Sequence, residues 1–402
     1  IPTPNSKQVF NQLINDYKAG TRSFNIIGSY GTGKSSFLWA LEKNISQKHN
    51  YFAPLNGAFN GLKGFEFFAL LGEFRSIIET FAKQLGIAAK RDSSVVDVIQ
   101  QLDKYYKLLY SAGKGLIIVI DEFGKFLEYA AKNNPENELY FIQQLAEYVN
   151  DHRKNIFFIT TLHQDFNGYS RNLTKTQQNE WDKAKGRLKE ITFNEPVEQL
   201  LFLASERLSK LRLGVRGKNF LRLFKSIEDA NVFPLKDYFS ISYAEKLLPF
   251  DMLSAAVLTL ALQKYGQNER SLFSFIESND HLGIKDINQK ATYYNLNCVY
   301  DYLIHNYYSF LTTKYNPHYT QWAAIRTAIE RVEGVFKENI TDAVKIVKTI
   351  GLLNIFASAS ARLDKEFLCE YGNYSLGIKE PEKIIKALDG FKIVRFVKHK
   401  NK

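Results

Sequence analysis

The sequence predicts an α/β fold, a doubly wound parallel sheet carrying a P-loop, followed by an α-helical lid and a C-terminal winged-helix-like domain. Three observations predict it. Gly28-Ser29-Tyr30-Gly31-Thr32-Gly33-Lys34-Ser35 satisfies GxxxxGK[ST] at every fixed position and follows the apolar run Phe24-Asn25-Ile26-Ile27. Gly115-Leu116-Ile117-Ile118-Val119-Ile120 lacks polar alternation, as expected of a central strand covered on both faces, and ends in Asp121-Glu122. Around these runs apolar strands alternate with helical stretches, the order of a parallel sheet with its ligand loop at a strand's C-terminal end.

Taken in order, Val9, Phe10, Leu13, Ile14 and Tyr17 recur at helical spacing, so residues Ser6 to Lys18 read as an amphipathic helix. Strand Ser23 to Gly28, the loop and helix Lys34 to Gln47 follow, then a strand near Tyr51 to Leu55 and helices over Phe65 to Leu85 and Val95 to Ala112. After the strand at Gly115 come helix Glu136 to Asp151, strand Asn155 to Thr161 and strand Glu190 to Phe193. His163 to Lys185 is long and polar, with Phe166 and Tyr169, and reads as a loop able to touch a partner or as a solvated insertion.

Beyond Pro196 the pattern turns helical: Val197 to Leu211, Asn219 to Ser226, Leu247 to Tyr265 and Ser271 to Ile276. A third segment begins near Asn295 with Cys298 to Thr313 and Tyr319 to Glu333, then Thr341 to Ile355, Asp364 to Glu370, Glu380 to Leu388 and a strand Phe391 to Lys398. Helices followed by a basic strand is the order of a winged helix, the strand opening the wing. The expected domains are 1–195, 196–294 and 295–402.

The chain has 402 residues, 45% hydrophobic and 24% charged, as in an ordinary globular protein. Cys298 and Cys369 suggest neither a disulfide framework nor a zinc spacing, so a reducing cytoplasm is the simplest compartment. The apolar run Leu247 to Leu262 is interrupted by Pro249 and Asp251 and is too short to span a membrane. The chain opens on Ile1 and closes on what reads as an unfinished strand, so a longer protein is expected. A net charge of +11 suits a polyanion such as DNA, although cations spread over solvated helix faces would give the same total.

The chemistry follows from residue types. The loop's glycines let backbone N–H groups turn toward phosphate oxygens, and the helix after it, opening at Lys34, Ser35 and Ser36, adds its positive end. Lys34 would reach the β- and γ-phosphates, and Ser35 would hold Mg²⁺. Asp121 would orient that ion through its water shell, while Glu122 would polarise the attacking water, which favours hydrolysis over mere binding. Thr160 and Thr161 close the next strand, where a polar side chain can position water beside the γ-phosphate. His163 follows as an ordinary hydrogen-bonding histidine.

These motifs, with the helical lid, resemble the AAA+ and STAND ATPases, especially the origin-recognition branch. Gly186-Arg187-Leu188 before Ile191-Thr192-Phe193 and Asn194-Glu195-Pro196 is similar to the step leading into such lids. Gln267-Asn268-Glu269-Arg270-Ser271-Leu272 resembles a lid helix supplying a second sensor arginine. Leu162-His163-Gln164, Glu180-Trp181 and Gln267 to Phe275 resemble segments of large ATPases of bacterial phage-defence islands. The resemblance implies ATP and Mg²⁺ as ligands, Arg270 acting on the γ-phosphate from the same subunit's lid, and Arg187 acting as a finger across a boundary in a homo-oligomer. It also implies partner proteins of a defence complex.

In the winged-helix candidate, Leu363 to Tyr371 carries Asp364, Glu366 and Glu370 against Arg362 and Lys365, a poor balance for a phosphate backbone. Lys392, Arg395, Lys398, Lys400 and Lys402 have no acidic neighbour after Asp389 and suit a wing lying along DNA. The leading expectation is an ATP-driven switch or motor acting on DNA or a partner protein. The alternative is a nucleotide-binding regulatory or scaffold protein with little turnover.

Overall fold

A computed structural model describes residues 2–397 except 30, 47, 54–58, 60, 88–93, 171–172, 212, 215, 234–239, 266–270, 287–292 and 315. The chain divides into two compact units, Ile1–Glu195 and Pro196–Lys402.

The first unit contains α1 Pro4–Lys18, β1 Ser23–Ile27, α2 Lys34–Ile45, β2 Gly64–Leu71, α3 Ile77–Gln84, α4 Val95–Ser111, β3 Lys114–Asp121 and α5 Gly124–Lys132. It closes with α6 Pro135–Val149, β4 Ile156–Leu162, α7 Lys175–Gly186 and β5 Lys189–Thr192. All pairings are parallel, in the order β2-β3-β4-β1-β5. Sheet alternation sends Leu116, Ile118, Ile120, Ile156 and Phe158 to one face, where they join a core with residues of α3 to α7. Ile117, Val119, Phe157, Ile159, Phe24 and Ile26 face the other way, onto α1 and α2. Both faces are therefore covered, which is why β3 and β4 need continuous apolar runs.

Three readings of this unit change. Gly64–Leu71, expected at the start of a helix, pairs residue by residue with β3 as an edge strand. Its aromatic-rich GFEFFALL fits a pleated, half-buried surface better than a helix, and α3 begins only after the Ser76 cap. No strand forms at residues 51–53, and the rest of the strand expected at Tyr51 to Leu55 lies outside the described residues. The polar stretch after His163 is not a loop: a 3₁₀ turn covers Phe166–Tyr169, and α7 starts with a capping box between Thr174 and Gln177. Trp181 anchors that helix, fully buried with its indole N–H donating to the Phe166 carbonyl at 2.9 Å.

The second unit is helical: α8 Val197–Leu211, α9 Phe220–Asp229, α10 Ile241–Lys246, α11 Met252–Tyr265, α12 Leu272–Glu277, α13 Leu296–Leu311, α14 Tyr319–Val335, α15 Ile340–Phe356, α16 Lys365–Tyr374 and α17 Pro381–Gly390. Helix α11 is apolar nearly all round and lies at the centre of one core running from Leu201 to Leu388. The expected boundary at 294/295 is thus crossed by continuous packing. Asp251, fully buried, accepts from Ser254 N at 2.7 Å, Ser375 Oγ at 2.6 Å and Tyr371 Oη at 2.8 Å, joining the start of α11 to α16; burial pushes its carboxyl pKa up.

The strand expected over Phe391 to Lys398 does not form in its described part, residues 391–397. Lys392 has a left-handed φ of 55°, its N–H donates to Asp389 O and Ile393 N–H to Leu388 O, so the chain turns to cap α17 instead of entering a ladder. Lys398, Lys400 and Lys402 lie outside the described residues.

Candidate nucleotide site

The loop leaves β1 at its C-terminal end and enters α2. Gly31 and Gly33 adopt φ of 74° and 91°, conformations that L side chains rarely take. Gly28 is required for a different reason: a Cβ there would stand 2.0 Å from the Phe193 carbonyl oxygen, where the chain leaves β5. Thr32 Oγ1 donates to Ser29 O at 2.9 Å and is buried, bracing the curl from inside. Ser35 and Ser36 lie exposed in the first turn of α2, and Tyr30 lies outside the described residues.

Lys34 folds back over the loop, its ammonium donating to Gly28 O at 2.5 Å and Ser29 O at 2.9 Å. Burial lowers its pKa to about 8, against the opposing pull of Asp121 and Glu122. An anion in the cradle would raise it again.

The strand order decides which groups meet the loop. Because β4 lies between β1 and β3, the tips of β3 and β4 both flank the loop on one side. Thr161 Oγ1 donates to Asp121 Oδ1 at 2.5 Å and accepts from Glu122 N at 3.0 Å. Both side chains belong to the sheet face that α2 covers, since β3 and β4 residues alternate and Val119 and Ile159 point there. Asp121 is thereby fixed on the side of the sheet that α2 covers, the helix that carries Ser35 in its first turn.

Thr160, one residue away, faces the opposite side. It is fully buried and donates to Asn25 Oδ1 at 3.0 Å and Phe24 O at 3.3 Å, tying β4 to β1. The two threonines expected to share one task are thus separated by strand parity, and only Thr161 joins the acidic pair.

Glu122 has a left-handed φ of 53°. A non-glycine residue in that region carries strain that its surroundings must hold. Gly72, after β2, supplies the hold: its N–H donates to Asp121 O at 2.7 Å, and a Cβ there would lie 1.9 Å from the Glu122 carbonyl oxygen. Lys125 in the first turn of α5 stands 2.5 Å from Glu122 Oε2.

His163, expected to be an ordinary hydrogen-bonding histidine, makes such a bond and also stands at the site. Just beyond the tip of β4, it is lowered to a pKa of about 4 by burial first, then by the Lys34 charge, with Glu122 pulling the other way. It is therefore a neutral imidazole beside the loop lysine and the acidic pair, hydrogen bonded to Tyr169 Oη through Nδ1 at 3.0 Å. Tyr169 is seated by Gly124, where a Cβ would meet the hydroxyl at 2.2 Å. The available signal was position, a polar residue directly after a buried strand next to the loop strand. Because the folded chain resists protonating His163, the unfolded chain binds that proton first, and stability falls as pH drops from 6.5 toward 4. His163→Gln is expected to flatten that part of a denaturant-unfolding series against pH; an equal loss in both proteins contradicts this.

Arg187 lies elsewhere. Phe24 of β1 pairs with Lys189 of β5, so Arg187, two residues earlier, sits at the end of the sheet opposite the loop, ion-paired with Glu147 of α6. Arg270 lies outside the described residues. Among those described, no helix is long and apolar enough to cross a membrane.

The first unit has a P-loop α/β fold. No protein-family model matches the chain, and no curated protein matches it. Among solved structures, the Aeropyrum pernix ORC2 protein in its ADPNP-ADP complexes is similar at 15% identity and a TM-score of 0.38, over 96% of this chain and 84% of that one. Drosophila ORC bound to DNA is similar at 12% identity and 0.33, over 97% and 86%. A Walker-type ATPase of Pyrococcus abyssi is similar at 12% and 0.34, over 98% and 90%. None of these likenesses decides an activity.

Proposed function

We propose that the chain is a Mg²⁺-dependent ATPase of the AAA+/STAND type, a conformational switch or motor acting on DNA or a partner protein. The observation that carries this reading is the meeting of Lys34, Asp121, Glu122, Thr161 and His163 around one glycine-built cradle at the C-terminal ends of β1, β3 and β4.

The cradle fits a triphosphate. Its glycines free backbone N–H groups, α2 opens its positive end there, and Lys34 is already drawn to oxygen atoms at the same place. A Mg²⁺ ion takes only one or two protein oxygens beside phosphate oxygens and water, and the Ser35 hydroxyl and Asp121 carboxylate are such a pair. Bound there, the ion would neutralise charge on the phosphates. Thr161 holds Asp121 in place. Glu122 accepts a proton from water as the water oxygen bonds to the γ-phosphorus and the bond to the β–γ bridging oxygen breaks. His163, neutral and held by Tyr169, offers an uncharged hydrogen bond beside that reaction.

On this reading Arg187 serves the site of a neighbouring subunit in a homo-oligomer, and Arg270 acts from the helical lid that begins at Pro196. A role in bacterial phage defence with partner proteins, in the cytoplasm, completes the proposal. Lys34→Ala is expected to weaken ATP binding, followed by calorimetry, by about a hundredfold, since a buried phosphate charge loses its partner. Affinity unchanged within threefold would refute the assignment of the cradle.

A further inference from the structure

Two of the three tryptophans, Trp181 and Trp322, are 0% and 2% exposed; Trp39, on α2, is 50% exposed. It is not isolated. The Tyr51 ring lies 5.6 Å from it at 50°, the His49 ring lies 5.5 Å from Tyr51 at 47°, and Lys43 Nζ stands 5.7 Å from the indole. Beside this row opens a cleft of about 330 Å³ lined by Lys7, Phe10, Asn11, Tyr51, Phe52 and Ala53. Phe10 and Phe52 stack at 4.6 Å as its buried floor, and Asn44 Oδ1 accepts from Phe52 N at 2.9 Å, pinning the segment to α2.

The chemistry of the ledge selects an occupant. Among the described residues of the same helix, the aliphatic side chains Leu38, Leu41 and Ile45 are buried, so what it presents beside Tyr51 is a ring and a cation. Lys43 and Lys48 carry positive charge, Lys7 adds another at the cleft, and Glu42, 3.4 Å from Lys43, is the one acid between residues 39 and 51. Aromatic faces interleaved with lysines are what an unpaired nucleic-acid strand uses, bases stacking on rings and phosphates meeting cations. A duplex keeps its base faces within its own stack. We infer that Trp39, Tyr51 and the neighbouring cleft bind single-stranded nucleic acid, with its phosphates along Lys7, Lys43 and Lys48. The site stands on the helix that begins at the phosphate loop, yet its existence does not depend on ATP turnover.

The test uses the full chain and the fluorescence of its exposed tryptophan. Titration with an oligothymidylate of about 20 nucleotides is expected to quench emission saturably, with affinity falling about tenfold or more between about 50 and about 200 mM salt. In anisotropy with a labelled strand, Trp39→Ala weakens binding by about 5- to 150-fold, whereas Trp39→Phe, which keeps a ring, retains most of it. Lys7→Glu combined with Lys48→Glu, two exposed positions, also weakens it without touching the rings. The inference is overturned if no saturable quenching occurs at low salt, if a blunt duplex quenches as strongly as the single strand, or if Trp39→Ala and the lysine double variant both bind like wild type.

Discussion

Glu122→Gln is expected to leave ATP affinity within a few-fold of wild type and to lower turnover by about 10²- to 10⁴-fold, the range supplied by a positioned general base. The amide matches the carboxylate in shape but cannot take a proton from water. The features that aim this residue are in its backbone: the left-handed φ of 53°, the N–H bond to Thr161 Oγ1 at 3.0 Å and the glycine contact at position 72. They survive the change, so only proton acceptance and the Lys125 ion pair are lost. Phosphate release beside equilibrium binding of ATP checks this; turnover within threefold of wild type would remove Glu122 from the role of base.

Arg187→Ala is expected to have the largest effect, a loss of about 10³- to 10⁵-fold in turnover with ATP binding intact, as for an arginine finger in phosphoryl transfer. Its place at the far end of the parallel sheet means it cannot serve the loop of its own first unit. Two consequences separate this from a structural ion pair. Wild-type turnover per chain should rise with protein concentration. Mixing Arg187→Ala with Lys34→Ala should restore activity, because one variant keeps its cradle and the other keeps its arginine. Unchanged turnover in Arg187→Ala, or no recovery on mixing, contradicts the role.

The parts of the site legible in the sequence are those whose function fixes residues in a contiguous run. The loop from Gly28 to Ser35 and the strand ending at Asp121-Glu122 are of this kind, since phosphate cradling and acid placement each demand a fixed local pattern. What depended on pairing was not legible. Thr160 and Thr161 are chemically equal in sequence, and only the register opposite β3 and β1 sends one to Asp121 and the other to Asn25. Gly72 belongs to no motif, and its necessity arises from a strand edge brought against Glu122. The edge strand β2 was hidden because GFEFFALL is almost continuously apolar, with Glu66 its one polar residue, so no period separates strand from helix until β3 is placed beside it. The strand expected over Phe391 to Lys398 is absent from 391–397 for a related reason: an apolar, basic run becomes a strand only where a partner strand exists, and Lys392 turns the chain back onto α17.

Whether this cradle hydrolyses ATP is read from phosphate release by the purified chain with Mg²⁺, against the same reaction in excess EDTA. The predicted result is multiple turnovers with Mg²⁺, none in EDTA, and none in Lys34→Ala. Tight ATP binding without Mg²⁺-dependent turnover would contradict it and leave a nucleotide-binding scaffold, and turnover that persists in Lys34→Ala would place the chemistry elsewhere.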